Sequence, residues 1–356
     1  MTGPLDSASA RLTATEVSQH ASLEALDLTN DVEYLSRFLL QVQALFPELI
    51  PVHMRTAWRF HDRGPQDLED ELQSLGAIAS ASILGVRVDC CGTITAAAVT
   101  ASVLAACGVP ATYYLNHSAP YFDLARGRWG RPQVRASEVA RELIRHIALT
   151  GMEVGLHNDV WGLQDTGMDP IRSLKASLRW LRSLGIPIEG SVSHNTAWLY
   201  GVENFQVFTD FSFVDGLPRD RQPLTNMASL GLHYEANFPE PHPSRPTYAQ
   251  LEYRESSSRV LSEEFMHMYL MQHPWFRRGY EYEIWAIGPD EWVIADYARH
   301  DFRYAVNSAS VLEQLGSRAG QRSLGVLVLH PEYFCAGLDF ATLAGVFGWE
   351  MAYGRA

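Results

Sequence analysis

Ile83–Leu115 reads ILGVRVDCCGTITAAAVTASVLAACGVPATYYL, and the alternation of element types within it decides the fold class. ILGVRVD (Ile83–Asp89) is apolar and β-branched and reads as a strand. Thr95–Cys107 is rich in alanine and reads as a helix, with Gly108 at its C′ position and Pro110 just beyond. ATYYL (Ala111–Leu115) is the next strand.

The same alternation continues outward, as expected of a mainly parallel sheet or barrel. Glu138–Leu149 reads as a helix and EVGLH (Glu153–His157) as a short strand. Asp169 is a good N-cap and Pro170 fits the first turn of a helix whose apolar stripe is Ile171, Leu174, Leu178, Leu181 and Leu184. Gly185 and Pro187 end it, and Ile188–Val192 follows as a strand. LGVLVL (Leu324–Leu329) is almost wholly apolar, as a strand covered on both faces should be. Residues 1–80 read as a helical N-terminal extension, with apolar residues at helical spacing in DVEYLSRFLLQVQALF and a further helix around Leu68–Leu75. Residues 81–356 read as one domain. Within it, residues 202–300 form an irregular aromatic-rich excursion, including the antiparallel candidates YEIWAIG and EWVIADY and the Pro-rich NFPEPHPSRP.

Bulk composition narrows the function classes. Apolar residues make up 47% of the chain, enough for a sizeable core. The formal charge of −13, with no Lys/Arg cluster, argues against nucleic-acid binding. The uncharged run from Cys90 to Phe122 is broken by Gly92, Gly108, Pro110 and Pro120, so it is not read as a membrane span. The opening MTGPLDSASARLTATE has neither a basic nor an apolar leader segment, and the expected compartment is the cytoplasm. Cys90, Cys91, Cys107 and Cys335 show no CxxC spacing and are read as free thiols. Adjacent Cys90 and Cys91 point to opposite faces if both lie on a strand.

Four polar residues share one position, at or just after the end of a strand. They are Asp89 after ILGVRV, His157 closing EVGLH, His194 after IEGSVS and His330 after LGVLVL. Parallel α/β architectures build their active faces from these strand ends and the loops that follow. A barrel therefore brings all four over one crevice.

Several segments resemble the polysaccharide-deacetylase (NodB-like) family. VRVDCCGTITAAAVTASVLAACGVPATYYL is similar to the family's opening strand, acidic motif, helix and second strand. GMEVGLHND resembles its second motif, which ends in a metal-binding histidine, and VLVLHPEYF resembles its late strand ending in histidine. The likeness spans residues 83–200 and 323–335. It implies a distorted (β/α) barrel and a divalent metal, zinc being the expected ion. Asp89 is then the general base and a candidate ligand, His157 a ligand, and His330 the group that protonates the leaving amine or stabilises the tetrahedral intermediate. Such an ion polarises an amide carbonyl and lowers the pKa of water. The family's second motif acid is replaced here by Cys90 or Cys91, whose thiolate can bind zinc. The second histidine expected soon after His157 is missing from HNDVW, and His194 is the candidate to supply that imidazole.

Each of these residues also has a plainer reading. Asp89 can cap the next helix or pair with Arg87, and His157 can bond a backbone carbonyl. Cys90 and Cys91 can be small core residues, and Asp159 a loop carboxylate. Trp275, Phe276, Tyr280, Tyr282 and Trp285 can stack sugars or simply pack. The leading expectation is a metal-dependent hydrolase of C–N bonds, most simply an N-deacetylase acting on an amino-sugar or small amide precursor. The alternative is a non-catalytic binding protein on the same fold, and a third class is a metal-independent enzyme using carboxylates alone.

Overall fold

The computed structural model describes residues 31–63, 73, 82–127, 130–194, 202–211, 217–237, 282–288, 291–296 and 324–331. In chain order the elements begin with α1 (Asp31–Leu45), β1 (Leu49–Val52), α2 (Met54–Arg63), β2 (Ser82–Cys90) and α3 (Ile94–Ala106). β3 (Thr112–Asn116), β4 (Leu124–Arg126), β5 (Pro132–Val134), α4 (Glu138–Leu149), β6 (Glu153–Asn158) and α5 (Val160–Asp165) follow. The rest are α6 (Pro170–Ser183), β7 (Gly190–Ser193), β8 (Tyr234–Glu235), β9 (Tyr282–Gly288), β10 (Glu291–Asp296) and β11 (Leu324–Leu329).

The main sheet runs β8-β7-β6-β3-β2-β11-β10-β9, with β1 also paired to β2. Every pairing is parallel except β9 with β10. Mixed α/β architecture around a largely parallel sheet is therefore established. The antiparallel pairing of YEIWAIG with EWVIAD agrees with the sequence.

Local chemistry explains the elements. Thr93 caps α3 by accepting from the Ala96 N–H, and Asp169 caps α6 by accepting from Arg172 N–H at 2.8 Å. Gly108 adopts φ +67° after α3, the left-handed stop its position predicts. Leu174, Leu178 and Leu181 are buried, whereas Ile171 and Leu184 at the ends of the stripe are only partly covered.

The two faces of the sheet pack differently. Leu84, Val86, Val88 and Cys90 of β2 join a core with α1, α3, α4 and α6 residues on one face. On the other face, α2 packs Met54, Ala57 and Phe60 against Ile83, Tyr114, Val192, Tyr234 and Val326. α2 touches β2, β11 and β8 alike. A flat sheet would hold β8 and β2 about 19 Å apart, four strand spacings, so one helix about 10 Å wide reaches both only because the sheet curls around it.

Glycines make that concavity possible. The Tyr114 and Tyr234 hydroxyls meet at 3.1 Å across β6 and β7. The rings lie over Gly155 and Gly190, where a Cβ would sit 2.4 Å from Tyr114 and 2.1 Å from Tyr234. Gly85 gives α2 the same clearance, its Cβ position lying 2.8 Å from Ala57 Cβ.

The helical reading of residues 1–80 holds for α1 and needs amendment after it. Leu49–Val52 is a strand in register with Ser82–Gly85, and α2 fills the concave face. Gln73 is helical, but the rest of the helix expected around Leu68–Leu75, the aromatic residues 275, 276 and 280, the Pro-rich stretch after Asn237 and Cys335 lie outside the described residues. Among the described residues, no helix is long and apolar enough to cross a membrane.

Candidate functional site

β2, β6 and β7 run parallel, so their carboxyl ends open on one edge of the curled sheet. Side chains alternate along β2, and the odd positions Ile83, Arg87, Asp89 and then Cys91 face the concave side. Cys90 faces the opposite core, its thiol directed at Val88 O. One step of the alternation thus separates a structural cysteine from a site cysteine.

Cys91, His157 and His194 come together with one potential ligand atom each, all within 4.8 Å of one another. These three residues can hold a metal ion. Each imidazole has one nitrogen engaged from behind and the other turned to the centre. His157 Nδ1 lies 3.2 Å from Val192 O on β7, which fixes a donating Nδ1–H and leaves Nε2 as the ligand atom. His194 Nδ1 lies 3.4 Å from Asp159 Oδ2, again leaving Nε2. The two rings meet edge to face at 4.8 Å. His157 is nearly sealed, at 2% side-chain exposure, while His194 retains 18% and marks the solvent side of the site.

Asp89 stands beside this group. Arg87 grips both its oxygens, Nε–H donating to Oδ1 at 2.8 Å and the Nη2 group to Oδ2 at 2.5 Å. Oδ2 is also 3.8 Å from His157 Nε2. Burial opposes ionisation of Asp89, but the guanidinium and the neighbouring His157 and His330 outweigh it and hold the carboxyl well below its usual range. The other Arg87 nitrogen, Nη1, donates to Asn237 Oδ1 at 2.7 Å. Asp89 is not one of the three residues whose ligand atoms lie within 4.8 Å of one another, whereas Cys91, two residues along the same face, is.

His330 lies one residue past β11, next to β2 in the sheet, close enough for its charge to act on Asp89. The strand-end rule thus places Asp89, His157 and His194 at one edge, with His330 on the Asp89 flank. The plainer readings of Asp89 and His157 describe real bonds too, to Arg87 and to the Val192 carbonyl.

Three further residues build the site. Asp159 is buried, accepts from Ser118 Oγ–H at 2.5 Å, and faces His194. Burial opposes its charge, but His194 and Ser118 pull its pKa down to about 2. His117 Nε2 accepts the Asp159 backbone N–H at 2.8 Å, so its proton sits on Nδ1, which donates to Ser177 Oγ at 3.2 Å. Burial accordingly pushes the His117 pKa down to about 4. Tyr121 ties the strand ends together, donating to Cys90 O at 2.8 Å and accepting from Asn116 N–H at 2.7 Å. It fixes the backbone from which Cys91 projects.

Charges in the centre support one another. Burial opposes a Cys91 thiolate, but the His157 and His194 imidazoles bring its pKa well below the usual thiol value. Burial likewise opposes a charged His194, yet Cys91 and Asp159 raise its pKa well above the ordinary imidazole range. Both shifts point the same way, toward a thiolate at Cys91 and a proton on His194.

His117 is not among the four strand-end residues read from the sequence, yet it follows β3 as His194 follows β7, so the same strand-end rule finds it. Asp159 reads from the sequence as a loop carboxylate because nothing in HNDVW announces its pairing with a histidine 35 positions away. Comparison with protein-family models, curated proteins and solved structures gives no match for this chain.

Proposed function

We propose that the chain is a metal-dependent hydrolase of C–N bonds, most simply an N-deacetylase of the polysaccharide-deacetylase (NodB-like) type on a distorted (β/α) barrel. The observation that carries this reading is the convergence of Cys91, His157 and His194 within 4.8 Å beside Asp89. One thiolate and two imidazoles are a donor set that suits zinc in a tetrahedral site with one position left over. Bound there, the ion would supply Lewis-acid polarisation of an amide carbonyl. His157 and His194 would hold the ion together with Cys91, the two imidazoles being oriented from behind by Val192 O and by Asp159. Asp89 accepts the proton of the attacking water, and His330 on the other flank returns one to the leaving amine. Amino-sugar N-acetyl groups or small amides are the substrates of choice. Reduced thiols at Cys90, Cys91 and Cys107 fit a reducing compartment, so a cytoplasmic precursor is favoured over an assembled wall polymer.

Metal analysis and turnover test the proposal together. Purified protein should carry near-stoichiometric zinc that is lost in Cys91→Ser or His157→Ala. Asp89→Asn should retain zinc and lose deacetylation of N-acetylated amino sugars by at least 100-fold. Metal-free protein that gains no hydrolytic activity with zinc, nickel, cobalt or manganese would refute it. One observation favours the non-catalytic alternative: Arg87 engages both Asp89 oxygens, which makes a weak base. Under that alternative the protein binds sugar whether or not chelator is present.

A further inference from the structure

We propose that the metal-free site is a thiol acyl-transfer centre in which Cys91 is the nucleophile, His194 the general base and acid, and Asp159 the positioning residue. This goes beyond metal-dependent hydrolysis and uses the same thiol in a different role. The order of groups is what nucleophilic catalysis needs: a thiol beside an imidazole whose far nitrogen is held by a carboxylate. His194 Nδ1 faces Asp159 Oδ2 at 3.4 Å, so Nε2 is the nitrogen left for Cys91, whose sulfur lies within 4.8 Å. Asp159 is itself held from two sides. Its backbone N–H donates to His117 Nε2 at 2.8 Å, and Ser118 donates to its Oδ2 at 2.5 Å.

Two further features fit acyl transfer. α3, 13 residues long, begins at Ile94, three residues after Cys91. Thr93 caps only the Ala96 N–H, and the Ile94 and Thr95 N–H groups have no partner within the helix. A helix N-terminus favours the negative charge of a thiolate and of a tetrahedral oxyanion. Access is also one-sided. His194 keeps 18% side-chain exposure and Cys91 is half-buried, whereas His157 beneath them keeps 2%.

The chemistry balances without an external oxidant or reductant. The Cys91 sulfur attacks the acyl carbon of an ester, a C–S bond forms, and the C–O bond to the alcohol breaks. His194 Nε2 takes the thiol proton as the sulfur attacks and passes it to the departing alkoxide. His194 then takes a proton from water, whose oxygen bonds the acyl carbon as the C–S bond breaks and releases the acid. An ion held by Cys91 and His194 would engage both the nucleophile and its base and so close this route.

The test uses the full chain, stripped with chelator, and p-nitrophenyl acetate. A burst of one p-nitrophenolate per chain is expected, with a single acetyl group mapped by mass spectrometry to Cys91 and none to Cys107. Cys91→Ser and Cys91→Ala should both abolish it, and one equivalent of zinc should suppress it at least tenfold. Asp159→Asn should slow acylation about 100-fold in protein whose circular dichroism shows the native fold, with Asp159→Glu recovering most of the rate. An acetyl group mapped elsewhere, or Asp159→Asn reacting at the wild-type rate, overturns the proposal. Absent acylation alongside intact zinc-dependent deacetylation sinks this inference alone. Acylation in a protein that no metal activates sinks the hydrolase reading alone.

Discussion

Glu235 offers the most quantitative test of how this fold treats buried charge. It lies on β8 at 1% exposure, accepting from the Ser193 N–H at 2.9 Å and from the Ser191 hydroxyl. Burial pushes its pKa from 4.5 up to about 7, against the opposing pull of Ser191, Arg87 and the backbone donors. The folded chain therefore binds this proton more tightly than the unfolded chain. Its stabilising contribution is complete below pH 4.5 and is lost as pH rises through about 7. At about 1.4 kcal/mol per pKa unit, the difference is about 3 kcal/mol, with no discount for solvent because the group is sealed. Glu235→Gln cannot ionise, keeps an acceptor for the Ser193 N–H, and lets the Ser191 hydroxyl turn to accept. Urea denaturation of chelator-treated protein is the assay, since a bound cation would stabilise the carboxylate. The stability of Glu235→Gln relative to wild type should rise by about 3 kcal/mol between pH 4.5 and pH 8.5. Parallel stability curves for the two proteins would refute the argument.

Three smaller perturbations probe the scaffold. Gly155→Ala places a Cβ 2.4 Å from the Tyr114 ring and 3.0 Å from Gly190 O, and should cost about 1–3 kcal/mol in urea denaturation; wild-type stability would mean the tyrosine does not cross that strand. Asp169→Ala removes the α6 cap and should cost about 1 kcal/mol with an unchanged denaturant slope. Tyr121→Phe removes the hydrogen bonds to Cys90 O and from the Asn116 N–H, and should cost about 1–3 kcal/mol while weakening zinc binding in a competition titration. A loss of stability without any change in zinc affinity would show that Tyr121 does not position Cys91.

The repeating part of the fold was legible because local signals agreed with the final structure. β2, α3, β3, α4, β6, α6 and β11 all stand within two residues of where periodicity, caps and Gly/Pro stops put them. β1 was not legible, since LIPV is four residues long, contains proline and shows its meaning only when paired with Ser82–Gly85. The curl was hidden too, because it depends on Gly85, Gly155 and Gly190 facing side chains from distant segments. In the site, the strand-end rule brought out His157 and His194, and strand parity alone puts Cys91 on the face of Asp89. What parity could not supply is Arg87. A guanidinium two residues before the acid shares its face, so the pairing was visible as an option. That sulfur rather than carboxylate joins the histidines is a matter of distances.

Those distances set a charge balance that ties the two proposals together. With neutral imidazoles and Glu235 protonated, the described residues at this edge of the curled sheet set Asp89, Asp159 and Cys91, taken as a thiolate, against the guanidinium of Arg87, an excess of two negative charges. Uncompensated charge in a dry interior is costly, so the site recruits positive charge from whatever is at hand. Without a metal, the nearest source is a proton on His194, which is the direction in which its pKa is driven. That proton, lodged between thiolate and carboxylate, is the one acyl transfer needs. Were a divalent cation bound, it would cancel that excess, and Cys91, His157 and His194 would hold it through the sulfur and the two imidazoles. The same excess of charge thus favours a thiolate–imidazolium pair in one state and a thiolate–metal bond in the other. Replacing Cys91 by serine removes one of the three anions and should weaken both.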